Sequence, residues 1–384
     1  MNIKKKYYQL GEKDFKKYLN NLKKDKDNIT IFKEMDHSFF YYPSSEINNK
    51  LLTLHKLELE FNMLVNTLSK EKQSMIKQSF IIDEIQSSNS TENIYSTKND
   101  IFGISSTKAI IQNKKITSIV NTYNSIDSFN INDLNSLSKL RKLYDTLMKD
   151  AYESKADIPD GEFFRKDTVY ITNGIQPIHQ GFNPETKINK GMKELIKLIK
   201  NDDIDVYLKI LITHFMIETI HPFYDGNGRY GRLIMTLILY TSTKSLLSYK
   251  IATGINTNKS KYYKALEDAR DIHEFGCLND YISNMLDILI GEYTSTIKSI
   301  TKKLNQINSI TKYPSNLTKS DKRIYDLLKD ATYLTYFGIC NEEIMNITGI
   351  SKKTVIECFN KLNKKKLISD YKLSKTLFHK LIQK

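Results

Sequence analysis

"VYLKILITHFMIETIHPFYDGNGRYGRLIMTLILYT", residues Val206–Thr241, sets two apolar runs on either side of a strongly polar insert. The first run, interrupted by Lys209, His214 and Glu218, is apolar on nearly every face, the pattern of a helix surrounded by protein on all sides. It is too short to span a bilayer. The second, "RLIMTLILYT", reads as another buried helix. Between them "HPFYDGNGRYGR" (His221–Arg232) places one histidine, one carboxylate, three glycines and two arginines in twelve positions, in a chain with 14 glycines among 384 residues. The insert is therefore a loop that ends by opening a helix.

A helix N-terminus presents unpaired N–H groups and the positive end of a dipole, and glycines let the backbone approach a phosphate closely. Gly226-Asn227-Gly228 stands at that place. Arg229 and Arg232, three residues apart in the first turn, can meet polyphosphate oxygens with their planar forks. Asp225 beside an anion site calls for a bridging cation, and Mg²⁺ shared with phosphates supplies one. His221 ends the buried helix four residues earlier, with a side chain able to accept a proton near neutral pH. The set describes a site that holds a nucleoside triphosphate and deprotonates an incoming hydroxyl. A turn glycine or a capping histidine is the commoner reading of each residue alone, but eight specified residue types in fixed order exceed what structure alone requires.

The insert resembles the Fic family signature H-x-F-x-[DE]-G-N-G-R-x-x-R, met at every fixed position by His221, Phe223, Asp225, Gly226, Asn227, Gly228, Arg229 and Arg232. The resemblance runs from about Ile131 to Ile290. It implies a mainly α fold, a Fic-type helical bundle with a β-hairpin flap, and transfer of AMP from ATP to a Ser, Thr or Tyr hydroxyl of a protein target, the chain itself included. His221 would be the base, Asp225 the Mg²⁺ ligand, Phe223 the packing residue, and Gly226 through Arg232, with Tyr230 and Gly231 among them, the ATP-binding segment. Tyr262 and Tyr263 resemble a tyrosine pair lining the adenosine pocket, with core packing of one of them the competing reading. UMP transfer, phosphate transfer and de-AMPylation stay open, because the motif reads phosphates better than bases. "SNSTEN" (Ser88–Asn93) matches the family's inhibitory pattern [ST]-x-x-x-E-[GN] through Ser88, Glu92 and Asn93, and the expected device is a Glu92–Arg232 pair in the place of the γ-phosphate.

Outward from these motifs the chain reads as helical. Amphipathic helices are expected over Ser45–Lys70, Ser74–Ser88 and Ile131–Tyr152, the last with Asn132 or Asp133 as N-cap. "GEFFRKDTVYITNGIQPIHQGFNPETK" (Gly161–Lys187), rich in β-branched and aromatic residues around Gly174 and Pro177, reads as a hairpin-like flap, with His179 an exposed loop histidine or, as the rarer alternative, a substrate contact. It lacks the paired prolines that many relatives carry after the flap. After a polar stretch at Lys312–Arg323, two helices separated by Gly349-Ile350-Ser351 and followed by two strands suggest a C-terminal winged helix-turn-helix domain. The expected division is 1–105, 106–305 and 306–384.

The net charge is +14, and half of it falls between Lys319 and Lys384, where 14 Lys plus Arg face 7 Asp plus Glu. Lys352, Lys353 and Thr354, at the start of the expected recognition helix, can contact phosphates, so a DNA-binding regulator with the Fic core as nucleotide sensor is the rival reading. A homo-oligomer is compatible with the sequence. Cys277, Cys340 and Cys358 are an odd number at spacings unlike zinc or disulfide frameworks and read as buried free thiols. "MNIKKKYYQL" is not followed by an apolar signal region, which makes the cytoplasm the expected location and a membrane partner unexpected.

Overall fold

The computed structural model describes residues 3–33, 38–106, 114–152, 154–172, 177–373 and 375–382. Helix α1 (Ile3–Lys23) leads into a small hairpin, β1 (Ile29–Ile31) with β2 (Phe39–Tyr41). Then come α2 (Ser45–Asn66), α3 (Lys70–Thr91), α4 (Lys98–Ser106), α5 (Thr117–Asn124) and α6 (Leu137–Met148). The flap follows as β3 (Tyr170–Thr172) and β4 (Pro177–Gln180), paired antiparallel with Ile171 opposite His179. Gly174 lies outside the described residues. The bundle continues with α7 (Glu185–Ile199), α8 (Val206–Ile220), α9 (Asn227–Thr243), α10 (Ile251–Thr257), α11 (Lys259–Ala269) and α12 (Asn279–Ser309). The chain ends with α13 (Lys319–Leu334), β5 (Ile339–Cys340), α14 (Asn341–Thr348), α15 (Lys352–Lys364), β6 (Ile368–Leu373) and β7 (Thr376–Leu381), the strands ordered β5-β7-β6.

Helix α8 starts where the Asp205 side chain accepts from the amides of Tyr207 (2.8 Å) and Leu208 (3.4 Å). From Tyr207 to Ile220 every residue is buried, as the unbroken apolar pattern requires. It packs on α9, α7 and α12. Against α9 the approach is close: a Cβ on Gly231 would fall 2.7 Å from His214 Nδ1. The helix expected over Ile131–Tyr152 is shorter. A 3₁₀ turn capped by Asn130 occupies Ile131–Leu134, and Ser136, not Asn132 or Asp133, caps α6 by accepting from Lys139 N at 3.3 Å.

Helix α3 is a core element on both sides. Its Glu84, wholly buried, accepts from the amides of Ala252 (2.7 Å) and Thr253 (3.1 Å) at the start of α10, a carboxylate set against a positive helix end. The C-terminal segment rests on the same helix: Lys72 pairs with Asp330 at 3.3 Å and Ser79 Oγ donates to Leu334 O at 2.5 Å. Phe102 of α4 stacks on Phe337 with ring centroids 4.6 Å apart. One hydrophobic cluster accordingly runs from Ile31 to Leu381 through all three expected divisions.

All three cysteines are free and buried. Burial pushes the Cys277 and Cys358 thiols up to about 12 and Cys340 to about 11, which leaves them inert at neutral pH. Among the described residues no helix is long and apolar enough to cross a membrane. The α8–α9 contact yields a direct test: Gly231→Val puts a branched side chain against the buried His214 ring and is expected to lower stability by about 2 kcal/mol or more in urea unfolding.

Candidate active site

His221 ends α8 in a left-handed backbone conformation (φ 51°, ψ 63°), with its N–H donating to Ile217 O at 2.8 Å. Few non-glycine residues adopt it, histidine more readily than most. Burial, and then Arg165, Arg270 and His179, lower the pKa of His221 to about 3, against a smaller opposing effect of the Glu218 backbone. The imidazole is thus neutral at physiological pH and able to take up a proton. His179 is not the exposed loop histidine expected from sequence. Strand β4 lies over the end of α8, so His179 Nε2 sits 2.8 Å from Thr219 O, and burial followed by Arg270 lowers its pKa to about 4.

The loop after His221 is pinned from below. Phe223 is wholly buried and stacks on Tyr144, centroids 3.5 Å apart and planes 10° from parallel. Asn227 closes the loop with its side chain, accepting from Phe223 N and donating to Phe223 O, both at 2.9 Å. Gly226, at φ 74°, begins α9 and offers no side chain to its first amides. Those N–H groups, from Asn227 onward, have no partner within the helix and mark a positive end. Asp225 accepts from Gly226 N at 2.6 Å and from Arg229 Nη2 at 2.7 Å, leaving nearly half of its side chain exposed. Among the described residues no group of three or more His, Cys, Asp or Glu converges, so a closed protein cage for a cation is absent. A lone carboxylate beside an anion site is nonetheless what Mg²⁺ uses when phosphates supply its other oxygens.

The C-terminal end of α3 reaches this helix start. Arg232, wholly buried, donates from Nε to Ser88 Oγ (3.1 Å) and from Nη2 to Ser88 O (2.9 Å) and Glu92 Oε1 (2.7 Å). The pair expected from sequence is therefore formed. A Cβ on Gly228 would lie 2.1 Å from Glu92 Oε1, so the carboxylate occupies space that only glycine leaves open. Burial disfavours the charge of Arg232, but Glu92, Tyr262 and Glu218 together outweigh it and raise the pKa. Glu92 caps α3 and Asn93 follows at φ 58°, a left-handed position that Gly or Asn fills most readily. That explains the last position of the pattern as a helix terminator. From α11, Lys259 Nζ donates to Ser90 O (3.1 Å) and Asn93 Oδ1 (2.7 Å), and Tyr263 OH to Thr91 O (2.9 Å).

Three residues of the expected binding set face elsewhere. Tyr230 is buried with its hydroxyl donating to Leu140 O at 3.0 Å, because that side of α9 packs on α6. Gly231 faces His214 of α8. Tyr262 is 1% exposed, its hydroxyl 2.8 Å from His214 Nε2, so it is the core member of the tyrosine pair, while Tyr263 remains at the surface beside the α3 end. Two side chains escaped the sequence reading. Glu218, one turn before His221, is pushed up to about 7 by burial and by Glu92, against the pull of Arg232 and Arg270. Arg165 bonds the His221 carbonyl from 56 positions away, a separation no spacing rule reveals.

Residues 134–239 match the model of the Fic/DOC family. Over 81 residues the chain is 33% identical to a probable protein adenylyltransferase of Aquifex aeolicus (strain VF5), covering 21% of this chain and 23% of that one. Over 138 residues it is 27% identical to protein adenylyltransferase Fic of Drosophila mojavensis, covering 34% and 26%. The chain thus matches about a quarter of the length of these curated relatives. In fold, a Fic family protein from Desulfovibrio desulfuricans G20 superposes with a TM-score of 0.58 at 20% identity, covering 90% of this chain and 98% of that one. Fic-1 from C. elegans gives 0.51 at 17% identity, over 68% and 73%. The signature is thus complete, residues 134–239 match the Fic/DOC family model, and the chain shares its fold with these Fic structures.

Proposed function

We propose that this protein is an adenylyltransferase that moves AMP from ATP to a Ser, Thr or Tyr hydroxyl of a protein, and that Glu92 holds it inactive. The observation that carries the reading is the meeting of a neutral imidazole, an uncapped helix start and a buried arginine where the signature loop opens α9. The transfer chemistry is assigned to residues 106–305, with 1–105 supplying the inhibitory end of α3 and 306–384 forming a third unit. The Asn227–Arg229 amides, in the turn that Gly226 opens, and Arg232 hold the phosphates. His221 takes the proton of the acceptor hydroxyl as its oxygen bonds the α-phosphorus and the bond to the β-phosphate oxygen breaks, releasing pyrophosphate. Mg²⁺, with Asp225 as its protein ligand, would supply positive charge against the charge that gathers on the leaving pyrophosphate.

Glu92 opposes this by occupying Arg232, the group that would otherwise meet the terminal phosphate. Keeping 99% of molecules in that state requires about 2.7 kcal/mol, within the range of a buried, hydrogen-bonded charge pair whose rupture strands a charge. Glu92→Gly is therefore expected to raise incorporation of radioactive AMP many-fold over the parent protein, and unchanged labelling would remove the inhibitory role. His221→Ala on the Glu92→Gly background is expected to abolish labelling and to leave ATP binding intact by calorimetry. Since the His221 pKa lies near 3, the base form persists well below pH 6.5. Glu92→Gly should keep its rate on acidification to about pH 5, where an ordinary imidazole would already be protonated.

One observation favours a second activity in the C-terminal unit. Helix α15 buries Val355, Cys358, Phe359 and Leu362 and turns Lys352, Lys353 and Lys364 to solvent. Contact with duplex DNA through this face predicts retention of a short duplex at low salt that is lost by about 0.2 M and by Lys352→Glu with Lys353→Glu.

A further inference from the structure

Arg165 spends a buried charge in an unusual way. It is wholly buried, and its guanidinium is bonded to main-chain carbonyls. Nε donates to His221 O at 2.8 Å, Nη2 to Phe182 O at 2.9 Å, and Nη1 to Asp167 O. Its backbone N–H donates to Pro222 O at 3.2 Å. The three carbonyls come from three segments: the approach to β3, the exit from β4, and the end of α8. Burial lowers the pKa of Arg165, with the charges of Tyr224 and Asp167 acting against it. For stability alone a well-packed apolar residue serves as well or better than a buried charge. What the guanidinium adds is a rigid planar fork with donors in three directions, a geometry that lysine lacks. The space around it is closed. A Cβ on Gly181 would fall 2.4 Å from Arg165 Nη2, 3.0 Å from His221 Cβ and 3.2 Å from Ile220 O.

We propose that Arg165 is a positioning residue for the transfer step: it clamps both legs of the flap to the carbonyl of His221 and so sets where the imidazole stands relative to an acceptor hydroxyl entering beside the flap. The inference rests on the reading of His221 as the base. The clamp acts on the backbone that holds His221 in its left-handed conformation, so imidazole and flap move as one body. It also sets its own charge, with that of Arg270 and beside the neutral His179, against a base that is only partly exposed. Loss of the clamp lets the ring shift and lets more water reach it, and both effects act on the reaction rather than on ATP binding, which belongs to α9.

The test uses Arg165→Lys, which keeps the charge and loses the fork, in the full-length Glu92→Gly protein. Circular dichroism melting first establishes that it folds. The expected result is a kcat reduced roughly tenfold to a hundredfold, a KM for ATP unchanged within about threefold, and an acid-side midpoint of the rate that climbs toward the ordinary imidazole value of about 6.5. A simple loss of folded protein would lower the rate without moving that midpoint. Gly181→Ala, which drives a methyl against Nη2 and His221, is expected to move the midpoint in the same direction, and it carries the test if Arg165→Lys does not fold. If Glu92→Gly transfers no AMP at all, the functional reading fails. The clamp is then judged by the NMR titration of His221 in histidine-labelled protein, where an upward shift in either variant supports it. An identical His221 midpoint in parent and folded variants, or a kcat and pH profile unaltered by both substitutions, overturns the proposal.

Discussion

A positive charge with no access to water governs the architecture around the signature loop. Arg232 lies in the second turn of α9, wholly buried, where an unpaired guanidinium would cost several kcal/mol. Its partners all come from the far end of another helix: Ser88 through Oγ and carbonyl, and Glu92 through its carboxylate. The requirement to satisfy this group ties the end of α3 to the start of α9. Lys259 and Tyr263 of α11 then hold the same end from the other side. Nη1 of Arg232 still has no partner among the described residues, so the site retains a buried donor after Glu92 is bound.

The consequence for the rest of the chain follows from how deeply α3 is built in. Its Glu84 anchors the start of α10, and its Asp83 pairs with Lys98 at 2.7 Å and Lys250 at 3.3 Å. The C-terminal helices and strands pack on its outer flank through Asp330, Leu334 and Tyr336. Displacing the whole helix would expose a core that includes Ile76, Ile82 and Ile85. Only its last turn, with Glu92 a third exposed and Tyr95 at the surface beyond it, lies where a local rearrangement costs little buried area.

Electrostatics and backbone geometry in the loop reinforce one another. Neutral histidines at 179, 214 and 221 all owe their lowered pKa first to burial and then to nearby arginines. A charged imidazole among them would add repulsion to the desolvation cost. The glycines answer different demands. Gly226 supplies a left-handed turn, Gly228 leaves room for a carboxylate, and Gly231 allows two helices to touch.

By itself the sequence determined the two buried helices, the loop between them, the flap pairing and the motif that pairs Glu92 with Arg232. Each is carried by residues close in sequence or by a periodicity that backbone geometry imposes. It determined α6 only in part, because the choice of Ser136 over Asn132 or Asp133 as cap turns on a separate 3₁₀ turn over Ile131–Leu134 that Asn130 caps. Tertiary structure alone decided which face each motif residue shows: Tyr230 and Tyr262 went to the core because α6 and α8 stand there, and Asn227 was spent on closing the loop. It alone also decided that Arg165, distant in sequence, would bond His221. Such choices arise from the competition of several elements for one volume, and a linear pattern carries no information on which of them arrives.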